Sequence, residues 1–118
     1  MAIKNVYPAE KEFSSADDLQ WREVAEGAWE KVLTYAGNHR TVLLKWMKGF
    51  KTTEVAQHDH KEEVLILSGS LRDLTLEKTF GLHYHAYRPH GMRHGPYLVE
   101  EEVTMLVIES DASRPFPE

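Results

Sequence analysis

The chain has 118 residues, of which 42% are hydrophobic and 28% are charged, and its formal net charge at pH 7 is −5. This length supports one domain with one modest core. The acidic balance argues against nucleic acid and anionic membrane as partners, because both are bound through clustered Lys and Arg. The chain has no cysteine, which excludes disulfides, thiolate nucleophiles and Cys-ligated zinc.

Two features of the sequence bear on location. No apolar stretch approaches the roughly 18 residues that a membrane-spanning helix needs. The first six residues, MAIKNV, lack the long apolar region of a signal peptide. We therefore expect a cytoplasmic protein.

The predicted elements are short strands separated by turn signals. Residues 1–18 have little periodicity and are interpreted as an N-terminal arm. Apolar and β-branched runs then predict strands at residues 19–24, 28–35, 41–47, 55–60, 64–67, 70–76, 82–88 and 103–109. Ser68-Gly69 is read as a turn, and the acidic residues 100–102 as a hairpin turn.

This alternation of short strands and turn signals predicts an all-β sandwich, jelly roll or small barrel built from residues 19–110. The last segment, residues 111–118, contains two prolines and is interpreted as a loose C-terminal tail. The chain is therefore predicted to form a single all-β domain with an arm at one end and a tail at the other.

Six of the seven histidines fall between residues 58 and 94, in two groups. Neutral imidazole is the commonest protein metal ligand, and carboxylate completes sites for zinc, iron and manganese. On the predicted strand, His58 and His60 share one face because side chains alternate with a period of two. The spacing does not say which face, so exposed histidines beside charged residues are the alternative interpretation.

The residues around these histidines resemble the two motifs of the cupin superfamily. The first motif is matched by glycine, the histidine pair, a following carboxylate and a second glycine: Gly49, His58-x-His60, Glu62 or Glu63, and Gly69. The second is matched by Gly81 and Pro89-x-Gly91-x-x-His94. The resemblance implies a single-domain cupin-like jelly-roll β-barrel in which both motifs meet at one metal ion. Within the superfamily, the short loop between the motifs is similar to anti-sigma-factor-like and acetylacetone-dioxygenase-type cupins.

The resemblance implies three histidine ligands: His58, His60 and His94. For the carboxylate, Glu62 is preferred over Glu63 because Glu62 has the family's spacing to the second glycine and continues the period-two phase of the histidine pair. A third possibility is that neither glutamate binds, which leaves a three-histidine site. The implied cofactor is one divalent ion, with Fe(II) favoured and zinc, manganese or nickel as alternatives.

A third set of residues is in phase on the strand before Pro89: His83, His85 and Tyr87. If that phase points inward, these residues line the cavity as catalytic residues that donate hydrogen bonds or shuttle protons. If it points outward, they lie on the surface or at a subunit contact. Arg93 is interpreted as a surface ion-pair residue, and contact with an anionic substrate is the alternative.

The function implied by the resemblance is that of a mononuclear metal enzyme acting on a small organic molecule. A dioxygenase that cleaves a β-dicarbonyl- or catechol-like substrate is favoured. The alternatives are a non-oxidative isomerase, lyase or decarboxylase, and a non-catalytic metal-bearing sensor or ligand-binding module. Cupin-like barrels commonly dimerise through N-terminal strands, so the resemblance also implies a homodimer with residues 1–24 at the contact.

Overall fold

The computed structural model describes residues 10–111 and Phe116. Within these residues it contains one 3₁₀-helix, Ala16–Asp18, and nine strands. The strands are β1 Arg22–Ala25, β2 Ala28–Tyr35, β3 His39–Trp46, β4 Ala56–Gln57, β5 Lys61–Asp73, β6 Lys78–Phe80, β7 His85–Arg88, β8 Arg93–His94 and β9 Tyr97–Ser110. No helix in the described part of the chain has the length and apolar character needed to cross a bilayer.

Antiparallel strands form the main sheet, in the order β1-β2-β3-β9-β5-β6. Strand β9 lies between β3 and β5 and pairs with both along most of its length. The N-terminal half of β5 also pairs with β7, and its C-terminal end pairs with β6. A second, two-stranded sheet joins β4 to β8. The all-β prediction is confirmed.

The turns predicted at Ser68-Gly69 and at residues 100–102 are wrong, because each lies inside a continuous strand. Strand β5 runs through Gly69, and its register with β9 shifts on either side of that residue. Gly69 has φ 75°, and a Cβ built there would lie 1.8 Å from the carbonyl oxygen of Glu102. The glycine signal therefore marks a bulge where two backbones approach closely. The acidic residues 100–102 lie on β9 opposite this bulge and are exposed to solvent.

The core lies against β9. Alternate side chains of this strand pack with residues of β3 and β5 to form the buried cluster, which consists of Val42, Ile66, Leu71, Tyr97, Val99, Val103, Met105 and Val107. The period-two pattern of β9 therefore buries one face of the strand. Several of these core residues, among them Leu71 and Tyr97, also line two cavities, so the core forms part of the cavity walls.

Residues 1–9 of the predicted arm and residues 112–115 and 117–118 of the predicted tail lie outside the described residues. The rest of the arm, residues 10–18, contains the 3₁₀-helix and no strand. The predicted strand at residues 55–60 is reduced to β4, and residues 58–60 form an irregular connection to β5. His58 and His60 therefore do not lie on a strand, and the alternation of side chains along a strand does not explain why their rings are close.

Candidate metal centre

The two histidine motifs are held together by the small β4-β8 sheet. Ala56 of β4 is opposite His94 of β8 in the register. The Gly91 N–H donates a hydrogen bond to the His58 carbonyl oxygen at 2.9 Å. The side chain of Gln57 donates to the Gly91 carbonyl oxygen, also at 2.9 Å. These two hydrogen bonds place the second motif's turn directly against His58.

One candidate ligand set consists of His58, Glu62 and His94, whose ligand atoms all lie within 4.8 Å of one another. His58 Nε2 lies 3.6 Å from Glu62 Oε2, and the His58 and His94 ring centroids are 5.1 Å apart. All three side chains are half-buried. Two imidazoles and one carboxylate within this distance are a donor set for one divalent ion.

A second set shares Glu62 and consists of His60, Glu62 and Glu109. The ring of His60 stacks on His58 with centroids 4.8 Å apart, but its Nε2 lies 3.6 Å from Glu109 Oε2. The four predicted ligands are thus close neighbours divided between two overlapping sets. The sequence pattern did not single out Glu109, although it continues the inward alternation of the buried residues of β9. That phase is the signal that could have identified it.

The residues present fit a bound cation. The Nε2 atoms of His60 and His94 are buried and have no hydrogen-bond partner among the described residues, a state that is unfavourable unless a ligand satisfies them. Burial, together with the nearby Arg88 charge, lowers the pKa of His94 to about 4. His94 is therefore neutral near pH 7, which is the form that binds metal. Burial also raises the pKa of Glu62, against the opposing effect of His58.

A hydrogen-bond chain orients the His94 ring. Its Nδ1 lies 3.1 Å from the Tyr97 hydroxyl, which also accepts a hydrogen bond from Arg88 Nη2 at 2.6 Å. When Nε2 is the ligand atom, the proton is on Nδ1, and the Nδ1–H group donates a hydrogen bond to the Tyr97 hydroxyl oxygen. Partners of this kind fix the tautomer and direction of a ligating imidazole.

The structure does not bring the three predicted catalytic residues to this cluster. The side chains of His85 and Tyr87 are exposed on β7, and His85 Nε2 contacts Glu63 Oε1 at 3.0 Å. Of the three, His85 lines the larger of the two cavities beside the cluster. His83 precedes the strand, has φ 72° and is exposed. The inward face of β7 carries Arg88 instead. The catalytic assignment of His83, His85 and Tyr87 stays a prediction. Glu63, the alternative carboxylate ligand, points away from the cluster that contains Glu62.

Two cavities adjoin the candidate ligands, one of about 540 Å³ and one of about 280 Å³. The smaller is lined by His58 and Glu62. His94 lines both. The larger volume is in the range of small-molecule sites. The candidate metal centre therefore lies where a small organic molecule has room to bind.

Residues 9–113 match the family model described as the ChrR cupin-like domain. The chain belongs to this family. The predicted resemblance to cupins is confirmed, and the all-β fold is the cupin jelly-roll barrel. No protein sequence with curated annotation matches the chain.

Solved structures with this cupin fold include an RmlC-like cupin from Shewanella frigidimarina, with 16% identity, TM-score 0.74, and coverage of 88% of this chain and 94% of that one. An acetylacetone dioxygenase from Acinetobacter johnsonii has 15% identity and TM-score 0.72, covering 93% and 80% of the two chains. A chain in the complex of Rhodobacter sphaeroides SigE with the anti-sigma ChrR has 23% identity and TM-score 0.63, covering 80% and 50%. At these identities the similarity shows the shared fold.

Proposed function

We propose that this ChrR-like cupin is a mononuclear metal-dependent enzyme acting on a small organic molecule, specifically a dioxygenase that cleaves a β-dicarbonyl- or catechol-like substrate. The observation that carries the proposal is the position of the ligand cluster. His58, Glu62 and His94 are held within 4.8 Å of one another at the wall of cavities large enough for a small molecule. The fold shared with an acetylacetone dioxygenase supports the reaction class.

In this proposal His58, Glu62 and His94 hold the ion, and His60 is the fourth ligand. Fe(II) is the favoured metal, with zinc, manganese or nickel as alternatives. When bound, such an ion supplies Lewis-acid polarisation of substrate oxygens and, as Fe(II), dioxygen chemistry. The chain's own contribution is to orient His94 through Tyr97 and to surround the substrate with apolar walls, where electrostatic interactions are stronger than in water.

A non-catalytic metal-bearing sensor is the second candidate function. The family model itself is named for ChrR, and a chain of the SigE–ChrR complex shares the fold. This chain spans about half of that one. In a sensor, occupation of the same ligand cluster changes binding to a protein partner and produces no turnover. For either candidate function, we propose that the protein is a homodimer and is located in the cytoplasm.

The test of the function is metal analysis of protein purified without chelator or affinity tag, followed by oxygen-uptake assays with β-diketones and catechols. We expect iron and substrate-dependent oxygen consumption that disappears after chelator treatment and returns when Fe(II) is added back. Manganese or nickel with turnover but no oxygen uptake indicates the non-oxidative enzymes. Zinc with no turnover on any substrate contradicts the enzyme and favours the sensor.

A further inference from the structure

Arg88 is a largely enclosed cation whose hydrogen-bonding capacity is mostly unused. A guanidinium has five N–H donors, and Nη2 donates one of them to the Tyr97 hydroxyl at 2.6 Å. The Nε and Nη1 atoms are buried and have no hydrogen-bond partner among the described residues. Buried donors are normally paired. The unused donors of Arg88 therefore indicate a ligand that the protein itself does not supply.

The acidic residues near Arg88 do not satisfy it. No carboxylate oxygen in the described part of the chain lies within 4.0 Å of its guanidinium nitrogens. Glu62 is its cross-strand neighbour on β5, but its carboxylate belongs to both candidate ligand sets. Asp73 lines the larger cavity, and its Oδ1 accepts hydrogen bonds from the backbone N–H groups of Thr75 and Leu76, each at 2.9 Å.

Arg88 lines the wall of both cavities, as do His94 and Tyr97. Its guanidinium contacts the same Tyr97 hydroxyl that holds His94 Nδ1, so a group bound to it lies beside the candidate metal ligands. Away from this point, the larger cavity has predominantly apolar walls, formed by residues that include Ile66, Leu71, Leu76, Phe80 and Met92. The site thus combines one unpaired cation with an apolar chamber.

We propose that Arg88 is the anion anchor of this site and that the β-dicarbonyl- or catechol-like substrate is a small carboxylate with an apolar body. The carboxylate accepts hydrogen bonds from the guanidinium, a pairing that is strong because both groups are charged. The apolar body occupies the larger cavity. This inference rests on the proposed function in treating the cavity as a substrate site, and it makes Arg88 a specificity-determining residue.

Arg93 offers the matched control. It also lines the larger cavity, but it is exposed and lies on β8 opposite Gln57. A charge exposed to water contributes little to binding. Removal of this second arginine separates the effect of a cation at the rim from that of the buried guanidinium.

The experiment measures the binding of acetate, butanoate, hexanoate and phenylacetate, each beside its primary amide, by calorimetric titration of the metal-loaded protein. We expect wild type to bind the longer acids more tightly than their amides. In Arg88→Met this acid-over-amide preference falls about tenfold or more, whereas in Arg93→Met it changes less than about threefold. Arg88→Lys keeps the charge but loses the planar guanidinium that can bind a carboxylate through two N–H groups. We expect an acid-over-amide preference between those of wild type and Arg88→Met.

The preference is a ratio measured within each variant, so a loss of folded protein does not imitate the result. An equal acid-over-amide preference in wild type and Arg88→Met overturns the proposal, as does a wild type that binds no acid more tightly than its amide. Failure of the proposed function has a different signature. Arg88-dependent carboxylate binding without turnover supports the anchor and contradicts the enzyme, whereas turnover with an unchanged preference contradicts the anchor alone.

Discussion

Replacing His94 by alanine is expected to lower the affinity for a divalent ion by more than about a hundredfold, since even changes to the partners of ligating residues cost about 10- to 100-fold. The substitution removes a buried Nε2 that has no other partner among the described residues. It leaves His58 and Glu62 with one fewer donor in a set that lies within 4.8 Å. Affinity for zinc or manganese is measured by competition with a chromophoric chelator.

His90→Ala is the matched control for this substitution. His90 lies in the connection between β7 and β8, before the strand that carries His94, and is exposed. Its removal therefore takes away an imidazole of the same motif without touching the cluster. We expect its metal affinity to equal that of wild type. Equal losses in the two variants, or an unchanged affinity in His94→Ala, contradict the assigned centre.

Replacing Gly69 by alanine is expected to lower the free energy of unfolding by about 4 kcal/mol or to prevent folding, which places it among the most damaging single substitutions. The new Cβ would lie 1.8 Å from the Glu102 carbonyl oxygen and 2.9 Å from the Val103 Cα. Both contacts are with backbone, and the Val103 side chain is fully buried, so β9 has no room to retreat. Urea unfolding monitored by circular dichroism measures the loss.

Gly49→Ala separates this collision from the cost of the backbone conformation. Gly49 has φ 92°, and no heavy atom lies within 4 Å of the position of an added Cβ. Only the left-handed conformation opposes the alanine, at about 1–2 kcal/mol. A loss at Gly49 as large as that at Gly69 would show that close packing of β5 against β9 is not the dominant effect.

The parts of the site that were predictable depend on local sequence. His58, His60 and His94 lie in short motifs whose glycine and proline spacings resemble a known family, and the structure brings all three rings together. Strand β2 was predicted at its observed bounds, residues 28–35, because turn signals flank it and half of its residues are of types that favour strands. Glu62 was preferred over Glu63 on spacing and phase, and the structure directs Glu62 toward the histidines.

The parts that were missed depend on contacts between distant segments. Glu109 and Arg88 become neighbours of Glu62 only because β9 and β7 both pair with β5. A glycine such as Gly69 can adopt the left-handed backbone conformation in a turn or in a β-bulge. Only the close approach of β9 shows that position 69 is a bulge. The contact between Tyr97 and His94 could not be predicted, because the sequence does not show which group a tyrosine hydroxyl contacts.

We propose that a single ion is bound through Glu62, the carboxylate common to both ligand sets. The most direct test is the metal-to-protein ratio of wild type, Glu62→Ala and Glu63→Ala after identical metal loading and gel filtration. Glu63 is the matched control, because it is adjacent in the chain but its side chain is exposed and contacts His85, which belongs to neither ligand set. We predict one ion per chain in wild type and Glu63→Ala, and loss of the ion in Glu62→Ala. Full metal content in Glu62→Ala would contradict the account.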